Sequence, residues 1–197
     1  MSVHATRNST PSCPPDFRFP KGFIYLSTTD KINIVAEKLR LQSPPPNVGM
    51  DRYLISETPV GTNGLGVCFA ICLIGKTKSK PLLGMCHASS YYSFPKVLDL
   101  LKQKMKDQGA ESIEIYVIGG ETPSPFCKKG TIHDEEKIAG LADKDDEIAG
   151  VMFNLAEGER NPLSVVVTPE KIYVSKDQDG QEDPLELGSD DGIRIRV

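Results

Sequence analysis

The sequence predicts a mixed α/β (α+β) fold, because strand-length apolar runs and one helix-period stripe occur in the same chain. Residues 67–74 form a nearly uninterrupted apolar run of the length of a strand buried on both faces. Residues 93–109 carry Val97, Leu98, Leu101 and Met105 on one helical stripe. We therefore expect a sheet with at least one helix packed on it.

The first fifty residues predict a tail followed by a small ordered unit. Residues 1–20 are rich in proline and predict a flexible tail. Residues 23–27 alternate as in a short strand, and Asp30 is placed to cap a helix that ends by residue 41. Three prolines at 44–46 then act as a spacer.

The next segment predicts a hairpin that follows a glycine-dense turn. Tyr53, Ile55 and Val60 indicate extended chain, and residues 61–66 contain three glycines. The apolar run 67–74 and a second strand at 82–88 are joined by a short loop, 76–80, that carries three lysines. A hairpin would place the start of one strand beside the end of the other.

The second half predicts a helix, a strand and a hairpin. Ser93 and Gly109 bound the helix, and residues 112–118 alternate as a strand that ends in two glycines. Residues 121–135 predict a loop, while 163–167 and 171–174 predict a hairpin. Three parts follow along the chain: the tail 1–20, one domain over 21–175, and an acidic loop with a possible C-terminal edge strand over 176–197.

Composition excludes several classes of function. The formal net charge of −4 argues against a general nucleic-acid binder and a polybasic membrane module, and no apolar run is long enough for membrane insertion. Five cysteines are an odd number, and the N-terminus lacks the features of a secretory signal. These features predict reduced thiols and a cytoplasmic protein, although delivery by a specialised secretion system is compatible with them.

Cys68, His87 and Thr62 are the candidate catalytic residues. Cys68 follows a glycine turn, whose backbone N–H groups can form an oxyanion hole. A thiol nucleophile requires a base, and His87 is the histidine of a strand-like segment. Thr62 precedes Cys68 by six residues and is a candidate to orient the imidazole. The alternative for Cys68 is a small buried core side chain, and the residues alone leave both interpretations open.

The other cysteines favour plain structural roles. Cys72 predicts core filling, and Cys127 an exposed thiol beside two lysines. A zinc site could also be built from Cys68, Cys72, Cys86 and His87, but their spacing matches no strong zinc pattern. In addition, the side chains of the neighbouring residues Cys86 and His87 point to opposite faces of a strand. A catalytic Cys68 is expected to have a low pKa and to react first with iodoacetamide.

Residues 62–73, TNGLGVCFAICL, resemble a signature of the CheD family of chemoreceptor glutamine deamidases. Similarity continues in a Gly-x-x-His element at 84–87, a helix at 94–109, a strand ending in Gly-Gly at 113–120, and residues 161–167. It spans roughly residues 50–175. Bacterial toxin deamidases are similar in layout and chemistry.

The resemblance implies a layered sandwich with a central mixed β-sheet and flanking helices. It also implies Cys68 as nucleophile, His87 as base and Thr62 as the polar partner of His87, with no metal and no cofactor. The implied reaction converts a glutamine side chain of a target protein to glutamate and releases ammonia through a thioester. Interception of that thioester by an amine would give transamidation instead.

The expected partner is a protein substrate, either chemoreceptor-like or a host protein attacked by a secreted effector. We expect the loops 76–80, 89–95 and 121–135 to wall the site, with their lysines attracting an acidic partner. Two other functions stay open, a catalytically inactive protein-binding module on the same fold and a zinc-stabilised interaction domain.

Overall fold

The computed structural model describes thirteen elements. It covers residues 31–35, 41, 43–89, 93–120, 138, 140–141, 145–153, 162–176 and 185–197. The predicted tail, the strand at 23–27, the loop 121–135 and Cys127 lie outside these residues. The strands are β1 (Ile32–Ile34), β2 (Asn47–Val48), β3 (Arg52–Ser56), β4 (Val60–Leu65), β5 (Phe69–Lys76), β6 (Pro81–Ala88), β7 (Ser112–Gly119), β8 (Ile148–Phe153), β9 (Leu163–Val167), β10 (Ile172–Lys176), β11 (Asp190–Asp191) and β12 (Ile193–Arg194), and the helix is α1 (Phe94–Asp107).

The strands form two six-stranded mixed sheets. The first sheet has the order β12-β3-β6-β5-β7-β8, and the second has the order β1-β10-β9-β4-β2-β11. In the first, β7 and β8 are parallel and the other pairs are antiparallel. The mixed α/β (α+β) class therefore fits these elements, and flanking helices are few among the described residues. Two sheets pack face to face, and α1 is the single helix with complete bounds among the described residues.

The first sheet is the middle of three layers, and each of its faces has its own core. One face packs on α1, and the other packs on the second sheet. Strand β5 lies between β6 and β7, and its first seven residues are buried. This position explains the apolar run in the sequence, because both faces of a middle-layer strand are removed from water.

Helix α1 follows the predicted stripe. Its buried side chains are Val97, Leu98, Leu101 and Met105. Burial of each such side chain contributes about 1.5–3 kcal/mol. Ser93 occupies the N-cap position without a side-chain capping hydrogen bond, and Gly109 follows the C-cap with a left-handed φ of 91°. The helix bounds predicted from the stripe, the cap and the glycine are therefore confirmed.

Two predictions about the N-terminal half are wrong. Residues 32–34 form strand β1, parallel to β10, where the sequence predicted a helix from Asp30. The glycine-dense segment 61–66 is mostly strand β4, whose pairing with β9 shifts register between Thr62 and Leu65. Gly64 adopts a φ of 70° at this irregularity, and the Gly66 N–H donates to the Gly64 carbonyl at 2.9 Å. The predicted glycine turn is therefore an irregularity within strand β4 and not a separate loop.

The C-terminal residues belong to both sheets. Strand β11 pairs with β2 in the second sheet, and β12 forms the edge of the first sheet beside β3. Leu185 and Ile195 are buried. The described part of the acidic segment therefore contributes to the packed fold. Among the helices of the described residues, none is long and apolar enough to cross a membrane.

Candidate active site

His87 reaches across the two sheets to Thr62. His87 lies near the end of β6 in the first sheet, and Thr62 lies in β4 of the second. The Thr62 hydroxyl is 2.9 Å from His87 Nδ1 and 2.7 Å from the carbonyl oxygen of Val48. Both side chains are almost completely buried. The sequence offered Thr62 as a candidate to orient His87, and the structure brings the two side chains into direct contact.

This pair of contacts fixes the tautomer of the neutral His87 imidazole. A hydroxyl has one proton, and the Thr62 hydroxyl donates it to the Val48 carbonyl, which can only accept. Thr62 therefore accepts a hydrogen bond from Nδ1–H of His87. The lone pair of the neutral imidazole is then on Nε2, which is buried and makes no hydrogen bond to the described residues. An unpaired buried lone pair is costly unless the site uses it.

Cys68 lies on the same face of the first sheet as His87. His87 pairs with Ala70, and directly paired residues project to one face. Cys68 precedes Ala70 by two residues and shares its core between the sheets. Cys68 and His87 are therefore diagonal neighbours at the end of β5 and β6, where backbones stand about 7–8 Å apart. No hydrogen bond joins the thiol to the imidazole in the structure.

Gly119 and Gly120 hold the backbone of Cys68. The Gly120 N–H donates to the Cys68 carbonyl at 3.0 Å. Gly119 has a φ of 126°, and a Cβ atom there would lie 2.4 Å from the same carbonyl oxygen. Real Cβ atoms do not approach backbone so closely. The strand ending in Gly-Gly therefore positions the candidate nucleophile.

Gly119→Ala should displace Cys68 and lower the free energy of unfolding by about 1–3 kcal/mol, because it adds both a strained φ and a backbone clash. Urea denaturation measures this loss. Gly66→Ala is the matched control, since a Cβ on Gly66 meets no atom within 4 Å. Equal stability of the two variants would show that Gly119 is not needed to hold the backbone of Cys68.

Backbone donors for an oxyanion are available at Val67 and Cys68. The sequence predicted donors in the glycine turn before Cys68, but the Gly66 N–H already donates to the Gly64 carbonyl. The N–H groups of Val67 and Cys68 make no hydrogen bond to the described residues. These are two adjacent donors that no described residue occupies, and they are candidates to bind an oxyanion formed at Cys68.

Electrostatics at the site keep both groups neutral. Burial, and then the Asp51 carboxylate, raise the pKa of the Cys68 thiol above its usual value. Burial lowers the pKa of His87, against smaller opposing effects of Asp51 and the Val48 carbonyl. The expectation of a low Cys68 pKa is therefore wrong. A neutral thiol beside a neutral imidazole needs general-base removal of the proton during attack.

Asp51 is a neighbour of His87 that the sequence did not reveal, whereas Ser89 was predicted as part of the wall loop 89–95. The Asp51 carboxylate accepts hydrogen bonds from the Ser89 hydroxyl at 2.6 Å and the Ser89 N–H at 3.1 Å. The Asp51 N–H donates to the His87 carbonyl at 2.7 Å. These residues are 38 positions apart in the chain and share no motif. An aspartate just ahead of a strand was the only available signal.

The other two described cysteines, Cys72 and Cys86, do not join the site. Cys72 is completely buried in the core between the sheets, and Cys86 is completely buried in the core beneath α1. Because Cys86 faces away from Cys68 and His87, these side chains cannot bind one zinc ion. The described residues contain no group of three His, Cys, Asp or Glu side chains arranged to hold a metal.

The lysine loop 76–80 lies at the wrong end of the sheet for substrate binding at Cys68. Lys76 pairs with Pro81 at the hairpin end of β5 and β6, whereas Phe69 pairs with Ala88 at the site end. Seven residue steps separate the ends, or roughly 23 Å. Lys80 forms an ion pair with Glu57 instead. The prediction that this loop walls the site is therefore wrong.

Thr62→Val should reduce activity up to about a hundredfold, since it releases the imidazole that the hydroxyl orients. It also removes the hydrogen bonds of the Thr62 hydroxyl to the Val48 carbonyl and to His87 Nδ1, which costs about 1–3 kcal/mol of stability. Thr62→Ser keeps the hydroxyl and is the control. Steady-state kinetics and urea denaturation of both variants measure the two effects. A valine variant as active as the serine variant would refute the orienting role.

Comparisons with known proteins gave no assignment: no protein-family model matches the chain, and no curated protein matches it.

Proposed function

We propose that the protein is a cysteine-dependent amidohydrolase that deamidates glutamine side chains of a protein substrate. The observation that carries this proposal is the orientation of His87. Its Nδ1–H is held by Thr62, and its free Nε2 lone pair lies on the sheet face that carries Cys68. Acyl-transfer sites require a nucleophile, a base and a group that orients the base, and we assign these roles to Cys68, His87 and Thr62. The resemblance of residues 62–73 and 84–87 to the CheD family supplies the choice of glutamine.

The reaction begins with attack by Cys68. Nε2 of His87 takes the thiol proton as sulfur bonds to the carboxamide carbon, and the carbonyl electrons move to oxygen. The N–H groups of Val67 and Cys68 bind that oxyanion. As the carbonyl re-forms, the C–N bond breaks, and His87 returns the proton to the departing ammonia. This leaves a thioester on Cys68.

Hydrolysis of the thioester then follows the same order of steps, with water in place of the Cys68 thiol. His87 takes a proton from water, whose oxygen attacks the thioester carbon, and the C–S bond breaks. The sulfur takes the proton back from His87, and the product is a glutamate side chain. An amine in place of water would give transamidation by the same steps, so the outcome depends on which nucleophile reaches the thioester.

Exposed apolar side chains at the site end of the first sheet support a protein substrate. Met50 precedes Asp51, and Val67 precedes Cys68. They are 62% and 46% exposed. Exposed apolar residues next to a nucleophile in the chain suit contact with a protein surface better than binding of free glutamine. The substrate is either chemoreceptor-like or a host protein.

A peptide with a glutamine-like diazo ketone tests the catalytic class before the substrate is known. The proposal predicts covalent attachment at Cys68, mapped by mass spectrometry of digested protein. His87→Asn should suppress attachment, while Cys72→Ala should not. If the His87→Asn variant were labelled at Cys68 as fully as the wild type, the result would favour the alternative of an inactive binding module. With candidate substrates, mass spectrometry then reads the glutamine-to-glutamate change directly.

A further inference from the structure

Asp51 has a left-handed backbone conformation, which is unusual for a residue other than glycine. Its φ of 59° is the one positive φ of a non-glycine among the described residues. Aspartate and asparagine enter this left-handed region more easily than other residues, but it still carries strain. A strained backbone conformation persists where several surrounding contacts hold it in place. The hydrogen bonds of Asp51 therefore indicate which part of the structure depends on this conformation.

Those contacts converge on the end of β6 that carries His87. The Asp51 N–H donates to the His87 carbonyl, and the carboxylate accepts both the N–H and the hydroxyl of Ser89. On its other side, the Asp51 carbonyl accepts the Ile195 N–H at 2.9 Å. One side chain and its backbone thus fix the residues on either side of Ala88, and with them the direction of the imidazole.

The Asp51 carboxylate also acts on the charges of the site. It favours the protonated forms of both His87 and Cys68, so their pKa values lie higher than burial alone would set them. Once the thiol has added to a carbonyl, sulfur is neutral and the proton is on His87. A fixed carboxylate then stabilises the imidazolium. The charged side chains of Arg52 and Asp190 lie beside Gly49 in the same turn, and Arg194 pairs with Arg52 on the neighbouring strand.

We propose that Asp51 is a positioning residue that holds the His87–Ser89 end of β6 and stabilises the imidazolium formed on His87 during acyl transfer. The second half rests on the proposed function, whereas the effect on His87 titration does not. Asp51 acts through His87 and makes no bond to the reacting atoms.

Asp51→Asn is the direct test. Asparagine tolerates the left-handed backbone and keeps an oxygen that can accept from Ser89, so the variant removes mainly the charge. Asp99→Asn removes the same charge from an exposed position of α1, on the opposite side of the first sheet, and is the matched control. NMR titration of His87 and the pH dependence of Cys68 alkylation are measured in both variants.

The expected result is a lower pKa for both His87 and Cys68 in Asp51→Asn, with Asp99→Asn unchanged. On a glutamine substrate, kcat should fall about tenfold, less than the loss of the base itself. Ser89→Ala keeps the charge but loses one hydrogen bond, so it should lower kcat less. Unchanged titration of His87 in Asp51→Asn overturns the electrostatic effect, and unchanged kcat in both Asp51→Asn and Ser89→Ala overturns the positioning role.

Failure of the proposed function is distinguishable from these outcomes. A wild-type protein that never modifies glutamine would refute the deamidase proposal, while the NMR titration would still decide whether Asp51 raises the pKa of His87. An active wild type with a shifted His87 titration but full kcat in Asp51→Asn would overturn only the imidazolium role.

Discussion

Replacing Cys68 with alanine should reduce deamidation of a protein glutamine to background, a loss of about 10³-fold or more. The thioester route exists only if a thiol attacks, and no other described cysteine can replace it. The fold should persist, because alanine removes one sulfur atom from a position at the edge of the core between the sheets. Mass spectrometry of the substrate measures the loss, and circular dichroism checks the fold.

Cys72→Ala is the matched control for this prediction. Cys72 faces the same core four residues along, is completely buried, and has a strongly raised thiol pKa because of that burial. It should retain activity. Cys127→Ser should also retain activity, although Cys127 lies outside the described residues. An inactive Cys127→Ser beside a working Cys68→Ser would show that the wrong thiol was chosen.

His87→Asn should lower kcat by about 10²–10⁴-fold, because it removes the Nε2 base. An asparagine amide can still donate toward Thr62 from a position near Nδ1, so the change isolates the base from the packing. The loss should not add to that of Cys68→Ala, since a nucleophile and its base fail together. Initial rates of the single and double variants measure this.

The pH dependence of the wild type supplies the control for the role of His87. Catalysis needs neutral His87, whose pKa is lowered by burial. Activity should therefore fall on acidification only below about pH 6.5, the ordinary histidine value. Protein stability should fall over the same range, because the unfolded chain takes up the proton first. An acid limb well above that pH would show that another group is the base.

Local sequence patterns were sufficient for the elements whose burial is simple. The apolar run ahead of Gly75 predicted β5 because a strand covered on both faces needs apolar side chains at every position. The stripe of α1 predicted a helix covered on one face. By contrast, residues 32–34 read as the start of a helix, and pairing with β10 made them a strand. Such pairing depends on a partner about 140 residues away, which no local pattern contains.

The candidate site divides in the same way. Sequence alone determined that Cys68 follows glycines and that His87 lies on the neighbouring strand of a hairpin, because turn chemistry and strand length are local properties. The contact between Thr62 of the second sheet and His87 of the first sheet became visible only in the tertiary structure, and so did the hydrogen bond from Asp51 to the end of β6. It also placed the lysine loop at the opposite end from Cys68. Register and the packing of two sheets fix these distances, and both arise from contacts between residues far apart in the chain.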